Sequence, residues 1–214
     1  MQLVKQPSVE RDMGHSQADK ARNRERILAQ AAEQVRDAGL ESVSVGPLMR
    51  SVGLTHGGFY GHFESRSELL AQALARALQD GEAASLAAAG PSSDFARRLR
   101  SYLSRAHRDM RRTGCAIAAL AGDVARADEA SRQVMSEAID RVAARTAQAM
   151  GTDDEAQALF VVSAMIGTLL VSRVMTDAQR SDALLAAARE ALAGFGPAGA
   201  PKTPKHRRAR RSAA

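Results

Sequence analysis

The sequence predicts an all-α fold, a small N-terminal helical head followed by a larger helical bundle. Aromatic residues make up 3 % of the chain and tryptophan is absent, so the 45 % of hydrophobic residues is mainly Leu, Val, Ile, Met and Ala. These suit helices better than sheets. Period-two runs of β-branched residues are missing, while apolar residues recur at spacings of three and four. Capping residues and glycines punctuate those runs at intervals of helix length.

Residues 1–15 are polar and irregular and read as a flexible arm. Ser16 and Asp19 resemble a capping box with aspartate in place of Glu or Gln. They would open a first helix carrying Ile27, Leu28, Ala31, Ala32 and Val35 on one face, closed by Gly39. Ser44 is placed to cap a second, short helix, with Pro47 in its first turn and Leu48, Met49 and Val52 as its apolar face. Gly53 ends it. Thr55 can cap a third short helix reaching His62, with Phe59 and Phe63 on its apolar side. Ser65 and Glu68 form another capping box before Leu69, Leu70, Ala73, Leu74, Ala77 and Leu78. Residues 16–70 thus have the order of a helix-turn-helix with its supporting helices.

The stretch GLTHGGFYGHF, residues 53–63, puts Gly57, Gly58 and Gly61 inside the expected third helix, where each costs about 1 kcal/mol relative to alanine. Glycine must be useful there. A helix-turn-helix reads DNA with its second short helix in the major groove, and missing side chains let backbone approach bases and phosphates. Tyr60 and His62 can donate to phosphate, and His56 can reach a base edge.

Residues 71–195 read as a bundle. Phe95, Leu99, Tyr102, Leu103, Ala106 and Met110 mark one helix ending near Gly114; a shorter one follows Cys115 through Leu120 and Val124. Met135, Ile139, Val142, Thr146 and Met150 trace a third, stopped by Gly151. Asp153 or Asp154 opens a fourth that is apolar nearly all round over 158–171, and Leu184, Leu185, Ala188, Leu192 and Phe195 define the last. A helix apolar on every side must be covered on every side. Its own bundle covers about half, so a twofold homodimer is expected on the last two helices, through Phe160, Ser163, Gly167, Leu170, Leu184 and Leu192. The uncharged run Ala156–Ser172 falls short of the roughly 20 apolar residues a bilayer requires. No membrane partner is expected.

Met110, Met135 and Met165 can line an adaptable pocket or serve as ordinary core. Tyr102 is its best polar candidate, because a buried phenol needs a partner. Cys115 follows Arg111 and Arg112 at a helix start, either as a small buried hydrophobe or as an acidified thiol that senses oxidants or electrophiles.

The net charge of +6 is confined to one place. Residues 199–214 carry Lys202, Lys205, Arg207, Arg208, Arg210 and Arg211 without an acid, so the rest of the chain is neutral. This basic segment, within an expected disordered tail over 196–214, is either solubilising or a non-specific phosphate contact. A lone cysteine excludes an internal disulfide, and the N-terminus has no apolar signal segment, so a cytoplasmic location is expected. His56 and His62 sit about 240° apart on a helix and lack the i, i+4 spacing of a metal pair, so no metal is expected. No nucleophile, phosphate-loop or dinucleotide motif is present, so neither an enzyme nor a cofactor is expected.

Residues 22–70, RNRERILAQAAEQVRDAGLESVSVGPLMRSVGLTHGGFYGHFESRSELL, resemble the DNA-binding domain of the tetracycline-repressor (TetR) family of bacterial regulators. The resemblance rests on RERIL, the AGL turn, SVGLT, FYGHF and SRSEL, and departs at Gly46-Pro47 and Gly61. It implies that Ser44 and Arg66 contact phosphates, that Thr55, His56, Gly57 and Gly58 face the groove, and that Tyr60 and His62 grip the backbone. It also implies a homodimeric repressor on a palindromic double-stranded DNA operator, released by a small molecule among the middle helices. Two other readings remain at this point: a non-specific architectural DNA-binding protein using the tail, and a sensor acting through Cys115.

Overall fold

The computed structural model describes residues 10–90, 94–110 and 113–197; these contain nine α-helices, two short 3-10 segments and no strand. Residues 1–9, 91–93, Arg111, Arg112 and 198–214, the basic tail among them, lie outside the described residues.

Helix α1 (Glu10–Ala38) begins six residues earlier than the sequence suggests. Ser16 lies inside it, and Asp19 pairs with Arg22 one turn on instead of closing a capping box. Its inner face is Ile27, Ala31, Ala32 and Val35, all fully buried. Each such Ile or Val contributes about 1.5–3 kcal/mol of burial. Gly39 then turns the chain at φ 85°, a conformation that favours glycine.

Helix α2 (Val45–Ser51) starts after Ser44, whose side chain makes no cap hydrogen bond. Gly53, at φ 72°, ends it, and Leu54 N–H reaches back to the Met49 carbonyl at 2.8 Å. The third short helix of the sequence reading is in fact a 3-10 segment, His56–Gly61. Tighter winding fits a stretch whose glycines have no side chains to eclipse one another.

Helix α3 (Arg66–Ala89) opens on the expected cap: Ser65 Oγ accepts from Glu68 N–H at 3.0 Å, while Glu68 reaches the Glu64 N–H at 2.6 Å. Its 24 residues span about 36 Å, from the head deep into the bundle. The boundary expected at 70/71 therefore falls within one continuous helix.

The helix expected from Phe95 to near Gly114 is two: α4 (Phe95–Tyr102) and α5 (Arg105–Asp109). Ser104 causes the break, leaving the helical path and accepting from His107 N–H at 3.1 Å as a new cap. Helix α6 (Ala116–Val124) follows Cys115, α7 (Glu129–Met150) ends at Gly151 (φ 70°), and α8 (Glu155–Val174) and α9 (Ala178–Ala193) are capped by Asp154 and Asp177.

One core joins the head to α3, α6 and α7 through Phe59, Phe63, Leu74, Leu120 and Met135. A second holds α4, α7, α8 and α9 together through Phe95, Leu99, Leu103, Val161 and Leu185. At Gly81 a Cβ would stand 2.9 Å from the Gly114 carbonyl oxygen, so α3 meets the entry to α6 backbone against backbone. Helix α8 keeps an outward face on which Phe160, Leu170, Val171 and Val174 stay exposed. By length and composition it is apolar enough to cross a bilayer, which corrects the sequence estimate. Here its inner face packs in the bundle.

Candidate DNA-reading surface and internal cavity

The 3-10 segment is held from behind and bare in front. Thr55 Oγ1 accepts from Gly58 N–H at 3.3 Å, and the Phe63 and His62 N–H groups both return to the Phe59 carbonyl. Phe59 and Phe63 are buried and stacked at 5.6 Å between centroids, with Arg24 4.6 Å from the Phe63 ring centre. Tyr60 rests edge-on against Phe59 and is 70 % exposed.

Thr55, His56, Gly57, Gly58 and Gly61 all face solvent, with Ser44 exposed at the start of α2. None of the three glycines has a positive φ, and a Cβ on Gly57 or Gly61 would meet nothing within 4 Å. The fold itself does not require glycine at these two positions.

Two expected contacts are placed differently from the rest. His62 is half-buried with its Nδ1 sealed and unpartnered, and burial, with Lys20 and Arg24 nearby, lowers its pKa. Arg66 donates to the Val43 carbonyl and to Glu41, both at 3.1 Å, and so ties α3 to the loop before α2.

Between α3, α4, α6, α7 and α8 lies a cavity of about 110 Å³. Of the expected pocket residues, Tyr102, Cys115 and Met165 line it. Met110 and Met135 do not: Met110 is 44 % exposed beyond α5, and Met135 is packed in the first core. Sequence reasoning missed Glu82, Arg98 and Arg145, which also line it. A signal existed, since Arg98 precedes Tyr102 by one helical turn.

Cys115 caps α6, its Sγ accepting from Ala118 N–H at 3.5 Å. The Cys115 N–H donates to His107 Nε2 at 3.1 Å, while His107 Nδ1 lies 2.7 Å from the Tyr102 carbonyl. That carbonyl can only accept, so Nδ1 carries the proton and the imidazole is neutral. Burial lowers the His107 pKa, the Tyr102 carbonyl opposes this and Arg173 adds to it. The unfolded chain therefore takes up a proton near the ordinary 6.5, the folded chain only at lower pH. Stability from this site is complete above that value and drains as pH falls through it; His62 acts in the same direction. Thermal unfolding followed from about pH 7.5 to about pH 5.5 should show a falling midpoint, and His107→Phe should flatten the fall.

These features define a helix-turn-helix head joined to a helical bundle that holds a cavity. Its N-terminal domain is that of the bacterial regulatory proteins of the tetR family, whose model matches residues 27–73. Among solved structures, a TetR-family regulator from Cytophaga hutchinsonii is similar over 90 % of this chain and 99 % of its own, at 20 % identity and TM-score 0.67. Reduced NemR of E. coli matches over 81 % and 96 % at 18 % identity and TM-score 0.66. AibR, solved with isovaleryl coenzyme A and operator DNA, matches over 77 % and 97 % at 16 % identity and TM-score 0.54. A search of curated protein sequences found no match. The chain has the fold of a TetR-family transcriptional regulator, a class of DNA-binding factors and not of enzymes.

Proposed function

We propose that the protein is a cytoplasmic repressor that binds a palindromic operator as a homodimer and leaves it when a small molecule occupies the cavity. The observation that carries this reading is the bare 3-10 face, Thr55 to Gly61, anchored by two buried phenylalanines. Thr55, His56, Gly57 and Gly58 read the groove, and Ser44, Tyr60 and His62 meet phosphates. Arg66 contributes mainly by holding the loop that presents Ser44.

Helix α3 runs from this head to the cavity wall at Leu78, Gly81 and Glu82, so a ligand there acts on the element that carries the reading face. Release requires the ligand to favour the DNA-incompetent arrangement by its differential affinity. AibR, solved with both operator DNA and an acyl-CoA, supports one chain serving both partners. The dimer is formed by α8 and α9. Phe160 and Leu170 are exposed and Gly167 and Leu184 half-buried, as an unpaired interface requires, whereas Leu192 lies within its own core and drops out of the contact.

Enrichment of random duplexes on the full chain, with light scattering of the complex, tests the reading. A palindromic site bound by two protomers is the expected result. Binding without sequence preference, lost on deletion of 199–214, would favour the architectural alternative. Because the Cys115 thiol lines the cavity, an electrophile can also act there. Release by an electrophile that persists in Cys115→Ser would exclude that route.

A further inference from the structure

We propose that the cavity selects a small anion with an apolar body, a monocarboxylate, whose head is received by the Arg98 guanidinium and the Tyr102 hydroxyl; this rests on the reading of the cavity as the effector site. Three charged side chains line it: Glu82, Arg98 and Arg145. Glu82 is already paired, bridging to Arg145 and, at 3.8 Å, to Arg141. Arg98 has no hydrogen bond or ion pair among the described residues, and its Nε is buried without an acceptor. The lining therefore keeps one uncompensated positive charge.

Tyr102 stands one turn further along α4, and its hydroxyl is likewise sealed from solvent, with only the weakly accepting Cys115 thiol beside it. Buried donors without a strong acceptor are destabilising, and two of them on one helical face call for the same one. A carboxylate supplies it, because its oxygens accept from guanidinium and hydroxyl together with charge-assisted strength. A cation would face Arg98 unshielded. A neutral amide would satisfy the hydroxyl and leave the charge.

The remaining walls, Leu78, Leu86, Ile117, Val142, Val162 and Met165, want an apolar body. A cavity of about 110 Å³ has room for about six to ten non-hydrogen atoms, close to a benzene ring with its substituent. Benzoate, phenylacetate and hexanoate have that size and charge.

The full chain should be titrated with these three acids, their amides and benzylamine, reading heat of binding and thermal midpoint. The acids should bind and raise the midpoint, the amides should bind at least about tenfold more weakly, and benzylamine should not bind. Arg98→Gln should lose at least about tenfold in acid affinity, with Arg98→Lys intermediate and Tyr102→Phe weakened but still preferring acid to amide. Failure of all three acids to bind, equal binding of acid and amide, or unchanged acid affinity in Arg98→Gln would each overturn the proposal. Operator titration of the same samples separates it from the functional reading. Acid binding without operator release upholds the anion site and overturns the effector role; operator release by a neutral ligand, with no acid bound, overturns the anion site alone.

Discussion

Phe59→Ala is expected to lose about 3–5 kcal/mol, a large part of the roughly 5–15 kcal/mol that holds a folded domain together. Phe59 is 1 % exposed and is among the largest fully buried side chains in the head. It stacks on Phe63 within the core that also takes in Met49 and Leu69. Truncation leaves a ring-sized void under a segment that has little else to fix it. Three glycines in six residues give it little helix propensity, and its other ties are the Thr55 cap and the backbone bonds of Gly58, His62 and Phe63. Urea or thermal denaturation followed by circular dichroism reads the loss. Operator binding should fall with it, because the reading face has no shape without its anchor.

Gly57→Leu is expected to do the opposite: little change in stability and a loss of operator affinity of about 100-fold or more, given that a misplaced base contact costs about 1–3 kcal/mol and a side chain here displaces several. The new side chain enters open space on a residue with negative φ, so the fold tolerates it. Replacing glycine at a compatible site also restricts the unfolded chain, which offsets part of any strain. On the DNA side the same side chain occupies the gap between backbone and base edges. A midpoint within a few degrees of the wild type, together with failed binding, separates a reading face from a structural turn.

Much of the helix punctuation was legible because its signals are local. Thr55, Ser65 and Asp154 each cap the element they precede, and Gly39, Gly53 and Gly151 turn the chain where the sequence places them. The start of α1 was not legible, because residues 10–26 are polar and carry no apolar period; i, i+3 pairs such as Arg22 with Asp19 support that stretch. The break after Tyr102 was hidden for the converse reason. Leu103, Ala106 and Met110 continue the spacing of one helix, and only the cap at Ser104 marks two.

The cavity lay further still from the sequence. Met110, Met135 and Met165 look alike in a pattern, yet one is at the surface, one in the core and one on the cavity wall. Which apolar stripe borders a void depends on how five helices pack, and periodicity carries no such information. Leu192 points the same way: the sequence groups it with Leu184, but it is buried in its own bundle while Leu184 is half-buried. Arg98 became visible as an unpaired cation only once Glu82 was seen to be taken by Arg141 and Arg145.

On the proposed reading, Thr55 to His62 meet DNA through a bare backbone. Its most direct test is the affinity of the wild type and of Gly57→Leu for one operator duplex and for a scrambled duplex of the same length and salt. The wild type should prefer the operator by about 1,000-fold or more, and Gly57→Leu should lose that preference while keeping both its thermal midpoint and its weak affinity for the scrambled duplex. A Gly57→Leu protein that still preferred the operator as the wild type does would contradict the claim.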